Sequence, residues 1–220
     1  MVNFDAEKIR NVAIIAHGGA GKTSLVEAML FDAKATDRIG KVEDGNTVTD
    51  YEPEEINRKI SILSAISFCN WNGYRINLID TPGYTNFIED TKGCLSVVDG
   101  AVVIVSALSG VKAETEKVWQ YACQYEIPRI VFINKMDREN ADFYMAVGEL
   151  EKSYDTPAIL LQIPMGSGES FAGLIDLLGM KAIRYQNGRE AEEDIPATFR
   201  SEAEKHRRKL VERIAECDDA

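Results

Sequence analysis

One short stretch limits the possible folds of this 220-residue chain more than any other: residues 16–23 read AHGGAGKT. The stretch follows a short apolar run, Val12–Ala16, and precedes a helical pattern from Thr23 to about Phe31. It matches the pattern GxxxxGK(S/T), except that Ala16 takes the place of the first glycine. In a glycine-rich turn between a strand and a helix, consecutive backbone N–H groups can enclose a chain of phosphates. The sequence therefore predicts a phosphate-binding loop (P-loop) at this turn.

The residue types within this loop indicate individual roles. Lys22 is placed to reach β- and γ-phosphates, and the hydroxyl of Thr23 can ligate Mg²⁺. The glycines allow the close approach and the unusual backbone angles that such a loop requires. The candidate nucleotide-binding residues of the loop are His17, Gly18, Gly19, Ala20, Gly21, Lys22, Thr23 and Ser24.

Apolar runs alternate with helical patterns along the first two thirds of the chain, which is typical of a parallel α/β sheet. The stretch 32–60 is polar with little apolar periodicity, and a connection of this length is usually functional or mobile. The predicted strands are Val12–Ala16, Ile62–Cys69, Tyr74–Ile79, Ala101–Ser106 and Arg129–Ile133, with the second and third joined as a hairpin. The later predicted helices run from just after Gly83 to about Val97, over Glu114–Tyr125 and over Ala141–Ser153.

Two further motifs follow predicted strands. Asp80-Thr81-Pro82-Gly83 comes directly after the strand RINLI. An acid at that strand end can hold Mg²⁺ through water, and the N–H of Gly83 can contact a γ-phosphate. On its own this tetrapeptide is a common turn. Its position one hairpin beyond a P-loop favours a functional role for Asp80 and Gly83.

The other motif, Asn134-Lys135-Met136-Asp137, ends the strand RIVFI. The carboxylate of Asp137 can accept two hydrogen bonds from guanine, and the stem of Lys135 can cover the face of the base. Adenine offers no matching donors, and the unpaired carboxylate would then cost roughly 1–3 kcal/mol. Three motifs in this order predict that Asn134, Lys135 and Asp137 read guanine, with GTP or GDP and Mg²⁺ as the ligands.

Composition excludes several other classes of function. The chain has 25 basic and 36 acidic residues and a net charge of −11, which argues against loose, charge-driven nucleic-acid binding but leaves docking on a large nucleoprotein through a few side chains open. We expect no sequence-specific nucleic-acid binding. The four cysteines, at 69, 94, 123 and 217, show no close pairs and read as reduced thiols. No apolar stretch approaches the ~20 residues that a membrane helix needs, and the N-terminus lacks the apolar core of a signal peptide. We expect a cytoplasmic protein that does not bind membranes.

The periodicity weakens after about residue 157. Ala158–Ile163 and Ala182–Tyr185 could be strands, and Ala197–Cys217 reads as a strongly charged helix with a narrow apolar stripe of Ala203, Leu210, Ile214 and Cys217. We therefore predict a nucleotide-binding domain over residues 1–156 and a separate subdomain that begins at residue 157 and continues to 220.

Beyond its motifs, the chain resembles the GTP-binding domain of translational GTPases, specifically elongation factor G, over essentially its whole length. The stretches that carry the resemblance are YRINLIDTPGY, LSVVDGAVVIVSALSGV, IPRIVFINKMDRENADFY and GLIDLLGMKAIRY. The resemblance implies an α/β P-loop NTPase fold with a mostly parallel sheet and flanking helices, followed by part of an α+β insertion subdomain. It also implies GTP hydrolysis as a ribosome-linked switch. The basic cluster Lys205, Arg207, Arg208 and Lys209 could contact the ribosomal stalk protein.

Several positions depart from the family pattern. The effector loop of the family ends in RGITI, whereas residues 58–62 read RKISI, so that Ser61 keeps the metal-binding hydroxyl. The family's catalytic histidine is Tyr84, and its P-loop aspartate is Gly19. Glycine at 18–19, Tyr84 and the segment DYEPEE resemble the divergent second copy of the factor. The resemblance assigns catalysis to Lys22, Gly83 and Tyr84 and metal binding to Thr23, Ser61 and Asp80.

Three functions stay open at this point. The chain could be a GTPase, or a GTP/GDP-binding module whose hydrolysis is vestigial because of Tyr84. It could also belong to a related ribosomal GTPase of the release-factor or ribosome-protection type. The family's fifth guanine-binding motif, a Ser-Ala loop, does not occur before Ala220. We therefore expect the first portion of a longer factor, cut inside the insertion.

Overall fold

The computed structural model describes residues 5–186 and 189–216. The chain divides into two compact units. The first unit extends to Ser106 and includes Val111–Asn134, and the second comprises Ala107–Gly110 and the chain from Lys135 onward. The predicted boundary at residues 156–157 lies inside the second unit and stays a prediction.

A five-stranded sheet in the order β2-β3-β1-β4-β5 forms the centre of the first unit. Strand β1 runs parallel to β3 and β4, β4 runs parallel to β5, and only β2 is antiparallel to its neighbour β3. The mostly parallel sheet and the hairpin are therefore confirmed. The strands are β1 Ile9–Ile15, β2 Ala65–Trp71, β3 Tyr74–Asp80, β4 Gly100–Ser106 and β5 Arg129–Asn134.

The described part of this unit has four α-helices: α1 Lys22–Asp32, α2 Pro53–Arg58, α3 Ile88–Leu95 and α4 Ala113–Gln124. Two of them differ from the prediction. The polar connection after α1 contains α2, which begins with a proline at its first turn and a reciprocal cap between Glu52 and Glu55. At six residues, α2 is too short to produce a visible apolar period. Helix α3 begins four residues later than predicted, because residues 81–87 form a turn that approaches the P-loop.

The core of the first unit packs α1 against the central strands. Its buried members include Ile14, Val26, Leu30, Leu78 and Ile104. Burial of side chains of this size contributes roughly 1.5–3 kcal/mol each. The core therefore fixes the junction of β1 and α1, where the P-loop lies. At the other end of the sheet, β5 lies at an edge and exposes Ile130, Val131 and Phe132.

The second unit contains an antiparallel sheet in the order β6-β7-β8-β9. Its elements are α5 Phe143–Tyr154, β6 Gln162–Pro164, β7 Leu174–Asp176, β8 Lys181–Gln186, β9 Arg189–Glu193 and α6 Ala197–Ala215. The prediction missed β7 and β9, and the strand predicted at 158–163 shrinks to three residues. Strands of three residues, such as β6 and β7, are too short to show an alternating pattern, and the five-residue β9 (REAEE) has only one apolar residue.

Helix α6 covers the core of this unit with a narrower stripe than the sequence suggested. Ala203 and Leu210 are buried, but Ile214 is half-exposed, so its place in the predicted stripe is wrong. Cys217, the last member of that stripe, lies outside the described residues. Within the described ranges, no helix has both the length and the apolar character needed to cross a membrane.

Candidate functional site

The P-loop has the backbone conformation that its glycines permit. Gly19 and Gly21 have φ angles of +76° and +104°, in the region that side chains disfavour. Gly21 is the N-cap of α1, so the positive end of the helix dipole points into the loop. The amide of Asn134, at the end of β5, donates to the carbonyl oxygen of Ala20 at 2.9 Å. Ser24, the third residue of α1, is exposed.

Lys22 is buried at the start of α1, with only 6% of its surface exposed. Its Nζ donates to the carbonyl oxygens of Ala16 at 3.3 Å and His17 at 3.1 Å. Burial lowers the pKa of Lys22 to about 8, against the opposing effect of Asp80 and Asp50. An anion bound in the loop would favour the charged form of this amine, so the site is electrostatically prepared for phosphate.

A cluster of hydroxyl groups surrounds one carboxylate beside Lys22. Thr23 and Thr49 each donate a hydrogen bond of 2.7 Å to Oδ2 of Asp80. The hydroxyl of Ser61 lies 3.2 Å from that of Thr23, so the structure brings all three predicted metal ligands together. Burial raises the pKa of Asp80 to about 6, although the hydrogen bonds from Thr23 and Thr49 oppose the shift.

One further carboxylate of the site, Asp50, was not predicted from the sequence. It is buried, and neither of its side-chain oxygens has a hydrogen-bond partner among the residues that the structure describes. Burial raises the pKa of Asp50, while the nearby Ser61 hydroxyl and the Lys22 amine lower it. Asp50 and Thr49 lie at the start of DYEPEE and just before it, where no motif marks them. The available signal was an acid next to a threonine in a segment expected to be functional.

The donor set of this cluster fits Mg²⁺. Oδ1 of Asp80 is also buried without a partner in the described chain, so three carboxylate oxygens remain to be satisfied. Mg²⁺ prefers oxygen ligands, and it commonly takes one or two carboxylates together with water and substrate phosphates. Across the described ranges no group of three or more His, Cys, Asp or Glu side chains could hold a metal alone. A carboxylate pair surrounded by hydroxyls therefore suits a metal that a phosphate helps to bind.

The turn after β3 packs closely on the P-loop. A Cβ atom added to Gly83 would lie 2.7 Å from the carbonyl oxygen of Ala16, so only glycine fits there. Thr81 donates to the carbonyl oxygen of Ile14 at 2.7 Å, which fixes the start of the turn against β1. Tyr84 follows with 43% of its surface exposed. The turn thus brings the Gly83 backbone and the Tyr84 side chain to the P-loop.

His17 has a structural side-chain contact. Its Nδ1 lies 3.0 Å from the hydroxyl of Thr115 in α4, and both residues are buried. The imidazole therefore ties the P-loop to α4.

The remaining guanine-motif residues, Lys135 and Asp137, begin the second unit. Lys135 has a φ of +66°, and its carbonyl oxygen accepts a hydrogen bond of 3.2 Å from the N–H of Arg138. Met136 is buried, and its carbonyl oxygen accepts from the N–H of Gly168 at 2.8 Å. The side chain of Asp137 is 68% exposed and lies 3.6 Å from Nε of Arg138. The loop is held by its backbone and leaves the Asp137 carboxylate accessible.

A P-loop at the junction of β1 and α1, a carboxylate at the end of β3 and this strand order define a P-loop NTPase. Residues 7–216 match the family described as "Elongation factor Tu GTP binding domain". The chain belongs to this family of translational GTPases.

Individual relatives agree with this assignment. The chain is 46% identical over 218 residues to elongation factor G of Thermotoga maritima, covering 98% of this chain and 32% of the relative. It is 42% identical over 210 residues to elongation factor G 2 of Streptomyces coelicolor, covering 94% of this chain and 31% of the relative. A crystal structure of a protein from Thermus thermophilus matches with a TM-score of 0.91 and 36% identity, over 96% of this chain and 32% of that one.

These matches confirm the predicted fold class and an elongation-factor-G-like GTP-binding domain. The chain spans about a third of the length of the curated relatives it matches.

Proposed function

We propose that this chain binds GTP and GDP with Mg²⁺ and hydrolyses GTP to GDP and phosphate, as the switch of a ribosome-linked factor in the cytoplasm. The observation that carries the proposal is the buried cluster of Thr23, Asp80, Thr49 and Asp50 beside Lys22. This cluster combines unsatisfied carboxylate oxygens with hydroxyl groups and a buried amine at the N-terminus of a helix. Nucleotide contacts are assigned to the P-loop residues 17–24 and to Asp80, Gly83, Asn134, Lys135 and Asp137.

Each part of the chain has a distinct task in hydrolysis. The P-loop N–H groups and the α1 dipole bind the phosphates, and Lys22 stabilises charge on the β- and γ-phosphates. Bound Mg²⁺, held by Thr23, Ser61 and Asp80, supplies further positive charge to the transferring group. The N–H of Gly83 orients the γ-phosphate. Tyr84 orients the attacking water, the task that the family gives to a histidine.

The connection between α1 and β2 is the proposed switch. It carries Thr49 and Ser61 to the cluster, and Glu27 of α1 holds its middle through bonds from the N–H groups of Gly40 at 2.7 Å and Val48 at 2.5 Å. Loss of the γ-phosphate and Mg²⁺ would remove the partners of the cluster. Residues 36–62 and 80–90 would then loosen, as switch segments do after hydrolysis.

A second candidate function is a GTP/GDP-binding module with vestigial hydrolysis. The observation that favours it is Tyr84, because a phenol stays neutral where an imidazole can become a cation. A release factor or ribosome-protection factor fits less well, since residues 166–185 resemble the elongation factor G insertion. We assign the ribosome as partner. Contact with the stalk protein would use Lys205, Arg208 and Lys209, because Arg207 already donates to the carbonyl oxygen of Leu177 at 2.8 Å.

Single-turnover GTP hydrolysis separates the two main candidates. The intact protein is measured with and without ribosomes, next to Lys22→Met as a control without the phosphate-binding amine. Ribosome-stimulated hydrolysis by the wild type, absent in Lys22→Met, supports the GTPase. GTP binding without stimulated hydrolysis supports the binding module and refutes the GTPase.

A further inference from the structure

Gly18 of the P-loop lies directly against the ring of Tyr84. An ideal Cβ atom added to Gly18 would lie 2.7 Å from Cε1 and 2.8 Å from both Cδ1 and Cζ of that ring. Real Cβ atoms essentially never come within 3.0 Å of another heavy atom. The phenol ring therefore occupies the space that the side chain of any other residue at position 18 would fill.

Backbone conformation does not explain the glycine at this position. Gly18 is not among the residues with positive φ, whereas its neighbour Gly19 has a φ of +76°. A Cβ atom at Gly19 would meet no heavy atom within 4 Å. Glycine is therefore required at these two adjacent positions for different reasons. At position 19 the backbone has a positive φ angle, and at position 18 a side chain would collide with the Tyr84 ring.

The residues on both sides of Tyr84 have contacts of their own. Gly83 is buried against the P-loop, and the hydroxyl of Thr85 donates to Oε1 of Glu114 at 2.8 Å. Glu114 is the neighbour of Thr115, which holds His17 of the P-loop. The start of α4 therefore holds both the P-loop and the turn that carries Tyr84. The half-exposed Tyr84 side chain can still rotate, and its ring lies against Gly18.

We propose that Gly18 is a positioning residue for Tyr84. Because Gly18 has no side chain, the Tyr84 ring can occupy the space beside it, which we call the seat, and this contact determines where the phenol hydroxyl lies beside the P-loop. This inference rests on the proposed function of Tyr84 in orienting the attacking water. The Gly18→Ala variant should fold, because the atoms in its way belong to a half-exposed side chain that can rotate. The displaced ring would then carry its hydroxyl away from the water.

A double-mutant cycle in the intact protein tests the kinetic consequence. Gly18→Ala should lower the single-turnover rate of ribosome-stimulated GTP hydrolysis by about 10- to 100-fold, as displacements near 1 Å do. The same change in a Tyr84→His background should cost far less, because the smaller ring does not fill the seat. Gly19→Ala is the matched control, and its strain should weaken GDP binding to a similar extent in both backgrounds. An equal loss from Gly18→Ala in both backgrounds would overturn the proposal.

A second measurement does not depend on hydrolysis. With 3-fluorotyrosine incorporated at position 84, Gly18→Ala should shift the ¹⁹F resonance of the GDP-bound protein, and Gly19→Ala should leave it close to the wild-type position. An unchanged resonance in Gly18→Ala would refute the proposal that Gly18 positions the Tyr84 ring. If the wild type shows no stimulated hydrolysis, the proposed function fails, while the fluorine resonance still decides whether Gly18 places the ring.

Discussion

The residues at the start of α1 and the loop that carries Asp137 differ sharply in their surroundings. Lys22, Thr23 and Asp80 are 94% or more buried. Thr23 donates to the carboxylate of Asp80, and the Lys22 amine donates to carbonyl oxygens of the P-loop. The Asp137 carboxylate, in the second unit, is 68% exposed. Buried ionisable groups carry a desolvation cost that hydrogen bonds, opposite charges or a bound ligand can offset, whereas an exposed carboxylate carries little of this cost. If the proposed function holds, phosphate and Mg²⁺ binding should raise the free energy of unfolding, whereas substitutions in the base-reading loop should leave the stability of the nucleotide-free protein unchanged.

We expect the largest change in the rate of GTP hydrolysis from a substitution at Tyr84, which is exposed beside the buried Lys22, Thr23 and Asp80. Tyr84→His introduces a group that can become a cation and hold the attacking water. Ribosome-stimulated GTP hydrolysis by the intact protein should rise by about 10²–10³-fold, the usual value of one positioning or oxyanion contact. Single-turnover rates measure the effect, and Tyr84→Phe is the matched control. If Tyr84→Phe abolishes a robust wild-type rate, the phenol is an effective substitute for histidine.

Asp137→Asn tests the exposed loop. The carboxylate that accepts from guanine becomes an amide, so the affinity for GDP should fall by about 10²-fold, while xanthosine diphosphate should bind better than before. Titration calorimetry with GDP, ADP and xanthosine diphosphate measures the selectivity. The melting temperature of the nucleotide-free variant should stay at the wild-type value. Equal binding of GDP and ADP by the wild type would contradict guanine recognition itself.

Asp80→Asn tests the buried region, where a carboxylate has lost its contact with water. In metal-free buffer, burial raises the pKa of Asp80 from 3.8 to about 6, so the folded protein binds this proton more tightly than the unfolded chain. The free energy of unfolding should therefore fall as the pH rises between these values and stay lower above them. The amide removes this cost, which is at most about 3 kcal/mol.

Urea denaturation of the metal-free wild type and Asp80→Asn at pH 4 and pH 7.5 measures this gain. The variant should be more stable at pH 7.5 and nearly equal to the wild type at pH 4, yet it should no longer gain stability from GDP with Mg²⁺. A variant that is less stable at pH 7.5 would show that the buried carboxylate stabilises the apo fold.

Glu27→Gln gives the smallest expected effect. Both carboxylate oxygens of Glu27 accept backbone N–H groups of the connection after α1, and an amide can accept only one of them. The loss should cost about 1–2 kcal/mol, confined to this segment. Hydrogen exchange should increase at residues 40–48 and stay unchanged in β1 and β4. Uniform faster exchange across the sheet would show that the connection is not a separate unit.

The contrast between the two regions also explains what the sequence could predict. The P-loop, Asp80 and the mostly parallel sheet were predictable because each depends on local order: a strand, a short motif and a helix. Thr49 and Asp50 were missed because a long connection must fold before it brings them to Asp80. The role of Gly18 depends on a ring 66 positions later in the sequence. Contacts between residues so far apart produce no repeating pattern in the sequence, and only the folded chain shows them.

The exposed edge at β5 has a consequence for how this polypeptide behaves in concentrated solution. An edge strand presents unpaired N–H and C=O groups along one side, and here Ile130 and Phe132 lie on one face with Val131 on the other. Flat apolar edges act as templates for strands of other molecules. When nothing covers this edge, self-association competes with solubility despite the net charge of −11. Strand addition at β5 should therefore be one route by which preparations lose monomer, even while the P-loop remains folded.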